Sequence, residues 1–186
     1  MQIAPAAAGG GLAVLPIEDR GQEGEDKLNA WLRTNGLAYL YVRQSPDTFA
    51  SLFPGVVKRP DFLVLLDSVG LIAVDAKNKA LYRGVFTLKM ESELRRVLAF
   101  ERLFRMPFWY AYFWRDPASG EVAWYWISAL KAIEVGARRT ERKTGEEFLA
   151  IDLAHFAEVR CNGDLGKLYT QRMPSLSKIH GLEPGL

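Results

Sequence analysis

The chain has 186 residues, 49% of them hydrophobic, and a formal net charge of +2. That length and apolar content suffice for one sizeable core, and the small net charge excludes a nucleic-acid footprint spread over the whole molecule, so any such footprint needs local clustering. A single cysteine, Cys161, excludes an internal disulfide framework, and the two distant histidines, His155 and His180, lack zinc-site spacing, which leaves oxygen ligands as the route to a metal.

Residues 1–16 are rich in alanine and glycine, with no basic region ahead of their short apolar stretch, and are expected to form a flexible arm rather than a signal peptide. No segment is long and apolar enough to span a membrane, so a cytoplasmic protein is expected. Residues 24–36 read as a helix stopped by Gly36. On it Glu25 shares the apolar face of Leu28 and Leu32, whereas Glu23 aligns with Lys27 and Ala30 on the wetter side. A glutamate on the buried face, one turn from the helix start, is costly unless a metal or hydrogen bonds receive it. Acidic residues also favour helix N-termini, which accounts well for Glu23 and Asp26. A strand over 37–42 follows.

Next come Lys58-Arg59-Pro60-Asp61-Phe62-Leu63-Val64-Leu65-Leu66 and Gly70-Leu71-Ile72-Ala73-Val74-Asp75-Ala76-Lys77, two apolar strands joined by a tight turn at Ser68-Val69-Gly70. Asp61 opens the first strand, and Asp75 and Lys77 close the second on one face, so an antiparallel hairpin brings Asp61 to Asp75. Two converging carboxylates repel unless a hard divalent cation lies between them, and Mg²⁺ is usually held by one or two carboxylates plus phosphate and water. Lys77 beside them is placed to orient a water or stabilise a charged phosphorane.

Residues 78–86 read as another strand and about 88–105 as a helix, on which Glu93 points inward in the arc of Val97, Phe100 and Phe104. Arg95 and Arg102 mark another face. After Pro107, the aromatic run 108–114 reads as a core strand flanked by helices rather than a base-stacking platform. A turn at 116–120 returns the chain along a strand at 122–127. Lys77, Lys79 and Arg83 form one basic cluster beside the carboxylates. Arg138, Arg139, Arg142 and Lys143 form a second, in a hairpin or loop between 133–135 and 148–151, which either grips backbone phosphate or is simply solvated. The expected organisation is an arm at 1–16, one domain at 17–170 and an irregular tail at 171–186.

Pro60-Asp61 and Asp75-Ala76-Lys77, each flanked by hydrophobic strands, resemble the motif of the PD-(D/E)XK nuclease superfamily, and the resemblance covers roughly residues 20 to 130. The helix with an early glutamate and a terminal glycine is similar to that of the archaeal Holliday-junction resolvase branch. The resemblance implies an α/β fold with a restriction-endonuclease-like mixed central sheet flanked by helices. It implies Mg²⁺ or Mn²⁺ as cofactor, held by Asp61, Asp75, Glu25 and the Ala76 carbonyl, with Lys77 positioning or deprotonating the attacking water and Glu93 as a secondary polar candidate. Lys79, Arg83, Arg138, Arg139, Arg142 and Lys143 become the expected nucleic-acid contacts. The expected function is a metal-dependent DNA endonuclease, structure-specific or related to restriction or repair, with RNA left open as a substrate and a homodimer as the assembly. Two alternatives share these residues: a nuclease toxin or effector of a competition or mobile-element system, and a non-catalytic nucleic-acid or protein-binding module. The intact set of Asp61, Asp75 and Lys77 argues against the last.

Overall fold

The computed structural model describes residues 17–45, 55–67, 69–116 and 118–172; the expected arm, Ser68 of the hairpin turn, His180 and the tail from 173 onward lie outside them. Side chains of a strand alternate between faces, and β2 (Phe62–Leu66) uses this to bury Phe62, Val64 and Leu66 on one side. It pairs antiparallel with β3 (Gly70–Lys77), Phe62 opposite Val74 and Leu66 opposite Gly70, and Gly70 supplies the positive φ of 101° that the tight connection needs. β1 (Ala38–Tyr41) adds an edge strand on β2.

The aromatic run forms β5 (Phe108–Arg115), parallel to β3, and β6 (Val122–Ser128) turns back against it. With the short β9 (Ala157–Val159) the main sheet is six-stranded and mixed, in the order β1-β2-β3-β5-β6-β9. The aromatics are core, as the sequence indicates: Trp109, Tyr110, Tyr112, Trp124 and Trp126 are almost wholly buried. Helices cover both faces, so the architecture is mixed α/β. On one face α1 (Ile17–Thr34) and α4 (Gly166–Arg172) pack Leu28, Leu32 and Leu168 against Phe62, Val74, Trp109 and Trp126. On the other, α2 (Arg95–Phe104), α3 (Ala129–Val135) and a second sheet pack Val97, Phe100, Ala132, Phe86 and Leu149 against Phe108, Tyr110 and Tyr112. The second sheet has three antiparallel strands, β4 (Val85–Lys89), β7 (Ala137–Thr140) and β8 (Glu147–Asp152), with β8 in the middle.

Several expectations need correction. Helix α1 begins at Ile17, so Glu25 lies well inside it and not one turn from its start. The strand expected over 78–86 is irregular until β4, because Arg83 and Gly84 take positive φ values of 50° and 79° and redirect the chain out of the main sheet. The helix expected from 88 starts later: Leu88 and Lys89 still belong to β4, and a π-helical turn, Met90–Leu94, precedes α2. Residues 133–135, to which the sequence pattern assigns no element, end a short helix, α3; Ser128 caps it by accepting from the Lys131 N–H at 3.1 Å. Helix α4 carries ordered structure to Arg172, past the expected start of the irregular tail.

One glycine sets how closely α1 meets the sheet. Gly24 is buried, and a Cβ there would sit 3.1 Å from Asn78 Cβ and 3.3 Å from the Asn78 backbone nitrogen, so the helix touches the chain just beyond β3 through the missing side chain. Among the described residues, Gly21 has nothing within 4 Å. Gly21→Ala should therefore stabilise the protein by roughly 0.5–1 kcal/mol through helix propensity, whereas Gly24→Val should destabilise it by about 1–3 kcal/mol by forcing α1 off the sheet. Urea unfolding of the two variants checks both signs.

Candidate functional site

The β2–β3 register extends one step beyond the strand ends. The Asp61 N–H donates to the Val74 carbonyl at 2.9 Å, so Asp61 stands across from Asp75. By alternation both side chains, with Lys77, leave the sheet on the face covered by α2 and the second sheet. Asp61, Asp75 and Lys77 are three of the four buried polar or charged residues among those described, with exposures of 6%, 1% and 8%. Charge is thus taken out of water almost solely here, at a cost that only close partners offset.

Those partners form a chain of alternating sign. Asp75 lies between two ammonium groups, with Lys58 Nζ 3.1 Å from Oδ1 and Lys77 Nζ 2.5 Å from Oδ2. Lys77 continues to Glu93 Oε1 at 2.8 Å, and Lys79 lies 3.6 Å from the other Glu93 oxygen. Glu93 reaches Lys77 from the π-helical turn, where the backbone bond runs from the Arg95 N–H to the Met90 carbonyl. Burial pushes Asp75 up, but the charges of Lys77 and Lys58 outweigh it and hold the carboxyl below its ordinary range; Glu93 is held down in the same way by Lys77 and Lys79. Burial pushes Lys77 down, but Asp75 and Glu93 outweigh it and keep the ammonium protonated far above neutrality.

Asp61 is the exception. Its Oδ2 accepts the Ala76 N–H at 2.8 Å, and among the described residues its Oδ1 meets only the Gln44 amide, at 3.4 Å. Burial, then the charges of Asp75 and Glu25, raise its pKa well above the ordinary range. Glu25 approaches from α1, on the opposite face, across the end of the sheet; it is half-buried, accepts from Tyr41 OH at 2.8 Å, and is raised by burial and by Asp75. Glu23, expected on the wetter side, instead accepts from Asn78 Nδ2 at 2.8 Å while pairing with Lys27 at 2.6 Å. Gly24 between them explains this, because it brings that whole turn of α1 against the end of β3.

Among the described residues, no three of His, Cys, Asp and Glu stand close enough to enclose a metal on their own. Mg²⁺ does not ask for that: it commonly takes one or two carboxylates and completes its shell with water and substrate oxygens. Asp61 and Asp75 fit such a demand. Both are hard oxygen donors; Asp61 is under-compensated, and Asp75 Oδ2 is buried without an aligned hydrogen bond despite its close charge contact with Lys77. Glu25 interacts electrostatically with both while its carboxylate accepts from Tyr41.

The basic candidates divide. Lys79 is turned inward, donating to the Thr87 carbonyl at 3.2 Å, and burial lowers its pKa, so it serves the Glu93 pocket rather than an external phosphate. Arg83 is exposed beside Tyr82. Arg138 and Arg139 are exposed on β7, with Arg142 and Lys143 in the turn that follows. Arg138 lines a cleft of about 220 Å³ with Met90, Leu94 and Glu147, and none of the carboxylates around Asp75 borders it. Sequence reasoning gave no role to Lys58, Tyr41, Gln44 or Asn78. Lys58 stood only three positions before Asp61, but nothing local aims it at Asp75; the loop before β2 does. The chain matches no family model, no curated protein and no solved structure. Among the described residues, no helix is long and apolar enough to cross a membrane.

The raised and lowered carboxylates pull stability in opposite directions with pH. A group raised in the folded state contributes stability that is full below its unfolded value, 3.8 for Asp61 and 4.5 for Glu25, and is lost as pH rises through the folded value. Asp75 and Glu93, held low, contribute stability that is lost as pH falls through their folded values. Asp61→Asn should therefore flatten the decline of unfolding free energy above 3.8 while leaving the acid limb unchanged. Denaturant unfolding across a pH series, in EDTA, measures both limbs.

Proposed function

We propose that the chain is a Mg²⁺- or Mn²⁺-dependent phosphodiesterase acting on DNA, built on a restriction-endonuclease-like core of the PD-(D/E)XK kind. The observation that carries this reading is the concentration of buried charge at one point: Asp61 and Asp75 opposed at the end of a hairpin, with Lys77 locked beside them. Replacing a buried ionic network with apolar residues is often neutral or stabilising, so a network on an otherwise apolar face argues for a role other than stability. Asp61 and Asp75 would hold the cation, with Glu25 joining them across the sheet end and the Ala76 carbonyl assigned by resemblance.

A cation held there would supply Lewis-acid polarisation of the scissile phosphate and stabilisation of the leaving oxygen. Lys77 acts as an ammonium, because Asp75 and Glu93 keep it protonated; it orients the attacking water by donating to it and offsets the charge gathering on the phosphate. Glu93 positions Lys77, and Tyr41 positions Glu25. The exposed arginines of β7 and its turn add sequence-independent attraction to the phosphate backbone.

A second reading is favoured by the same ion pairs: with the charge of Asp75 already offset by two lysines, the network also suits a non-catalytic module that binds nucleic acid or a protein. Cleavage separates the two. Linear, nicked, single-stranded and four-way-junction DNA should be cut by the wild type in Mg²⁺ or Mn²⁺ and not in EDTA. Asp75→Asn and Lys77→Met should each lower the rate by roughly a hundredfold or more, and these near-isosteric changes are preferred over alanine because an unpaired buried partner costs about 3–5 kcal/mol. No metal-dependent cleavage of any form would favour the binding module.

Glu23 and Glu25 of α1 give a separate comparison. Glu25→Gln should cost much more activity than Glu23→Gln, since Glu25 faces the carboxylate pair whereas Glu23 is spent on Asn78 and Lys27. Equal losses in a single-turnover assay would assign the two residues a shared role in seating α1.

A further inference from the structure

Lys58 and Lys77 bracket Asp75, one on each oxygen, but they are held very differently. Lys77 is 9% exposed at its side chain and pinned a second time by Glu93, whereas Lys58 is 27% exposed and, among the described residues, has its one ion pair with Asp75. Its backbone is anchored independently, the N–H donating to the Arg96 carbonyl at 3.0 Å, so its side chain can leave without disturbing the loop. The charge of Lys58 also offsets burial at Asp61 and Glu25, so one partly exposed ammonium acts on all three carboxylates.

We propose that Lys58 is a tethered counter-ion that stands in for the divalent cation beside Asp75, and that the cation binds by displacing it. This rests on the metal-dependent reading above. A cation coordinated by Asp75 at about 2.0–2.1 Å and an ammonium on the same carboxylate would repel each other strongly at this depth, so the two occupants compete. Competition is reciprocal: whatever holds the metal-free pocket together weakens the apparent affinity of the metal by the same factor. Lys77 does not compete in this way, because Glu93 retains it when Asp75 is drawn to the cation.

The test is a calorimetric titration with Mn²⁺ alone, without DNA, of the wild type, Lys58→Met and Lys58→Arg, each checked for folding by circular dichroism. Lys58→Met should bind Mn²⁺ about tenfold or more tightly than the wild type, the effect expected of removing a like charge that competes for Asp75, and should melt at a lower temperature in EDTA. Lys58→Arg, which keeps the charge, should stay near the wild-type affinity. Lys58→Gln carries the same comparison if the methionine variant does not fold. Equal or weaker Mn²⁺ binding by a folded, neutral Lys58 variant overturns the displacement and leaves the metal-dependent reading standing. Absence of Mn²⁺ binding in every variant and in the wild type overturns both.

Discussion

The antiparallel register of β2 on β3, with Phe62 opposite Val74, is the constraint on which the site depends. A slip of one residue would turn every side chain of a strand to the other face, taking Phe62, Val64 and Leu66 out of contact with α1 and carrying Asp61 away from Asp75. The hydrophobic pattern therefore sets the geometry of the charges. Asp61 adds its own tie, since its carboxylate accepts the Ala76 N–H and so joins the start of β2 to the end of β3. The same contact leaves its second oxygen nearly unpartnered among the described residues.

Placing charge at the end of such a hairpin is expensive, and the structure offsets the cost with opposite charges from separate elements. The loop before β2 supplies Lys58, β3 supplies Lys77 and the π-helical turn supplies Glu93. These elements come together only because α2 and the second sheet pack on the same face as Asp75. Polar and apolar architecture are thus coupled: Tyr110 and Tyr112 wall the pocket, and the Tyr112 hydroxyl donates to the Thr87 carbonyl of β4, as does Lys79. The pocket is more deeply buried on the side of Lys77 and Glu93 and more exposed on the side of Lys58 and Glu25.

Local sequence was informative where one physical signal dominated. The hairpin, the aromatic core strand and the inward face of α1 were legible because period-two and helical patterns of apolar residues are strong and uninterrupted there. Glu93 was legible as an inward carboxylate for the same reason. Legibility failed where weak local preferences were overridden. Gly24 reads as a helix start because glycine is a poor helix former, yet its lack of a side chain is what the packing of α1 requires. The stretch after Lys77 reads as a strand, but two successive positive φ angles turn it into the second sheet. The short helix α3 was missed although Ser128 caps it, because seven residues carry too little periodicity to stand out.

By itself, the sequence determined that Asp61, Asp75 and Lys77 would share one end and one face of a buried hairpin, since strand alternation and a tight turn allow little else. It also determined that this end would be apolar enough for every charge there to need a partner. Only the tertiary structure decided which partners arrive. Lys58, Glu25 and Glu93 lie 17, 50 and 18 positions from Asp75 along the chain, and what brings them together is the packing of α1 on one face of the sheet and of α2 with the second sheet on the other. Electrostatic pairing is read through space, so its outcome follows from the placement of whole elements and not from any local run of residues.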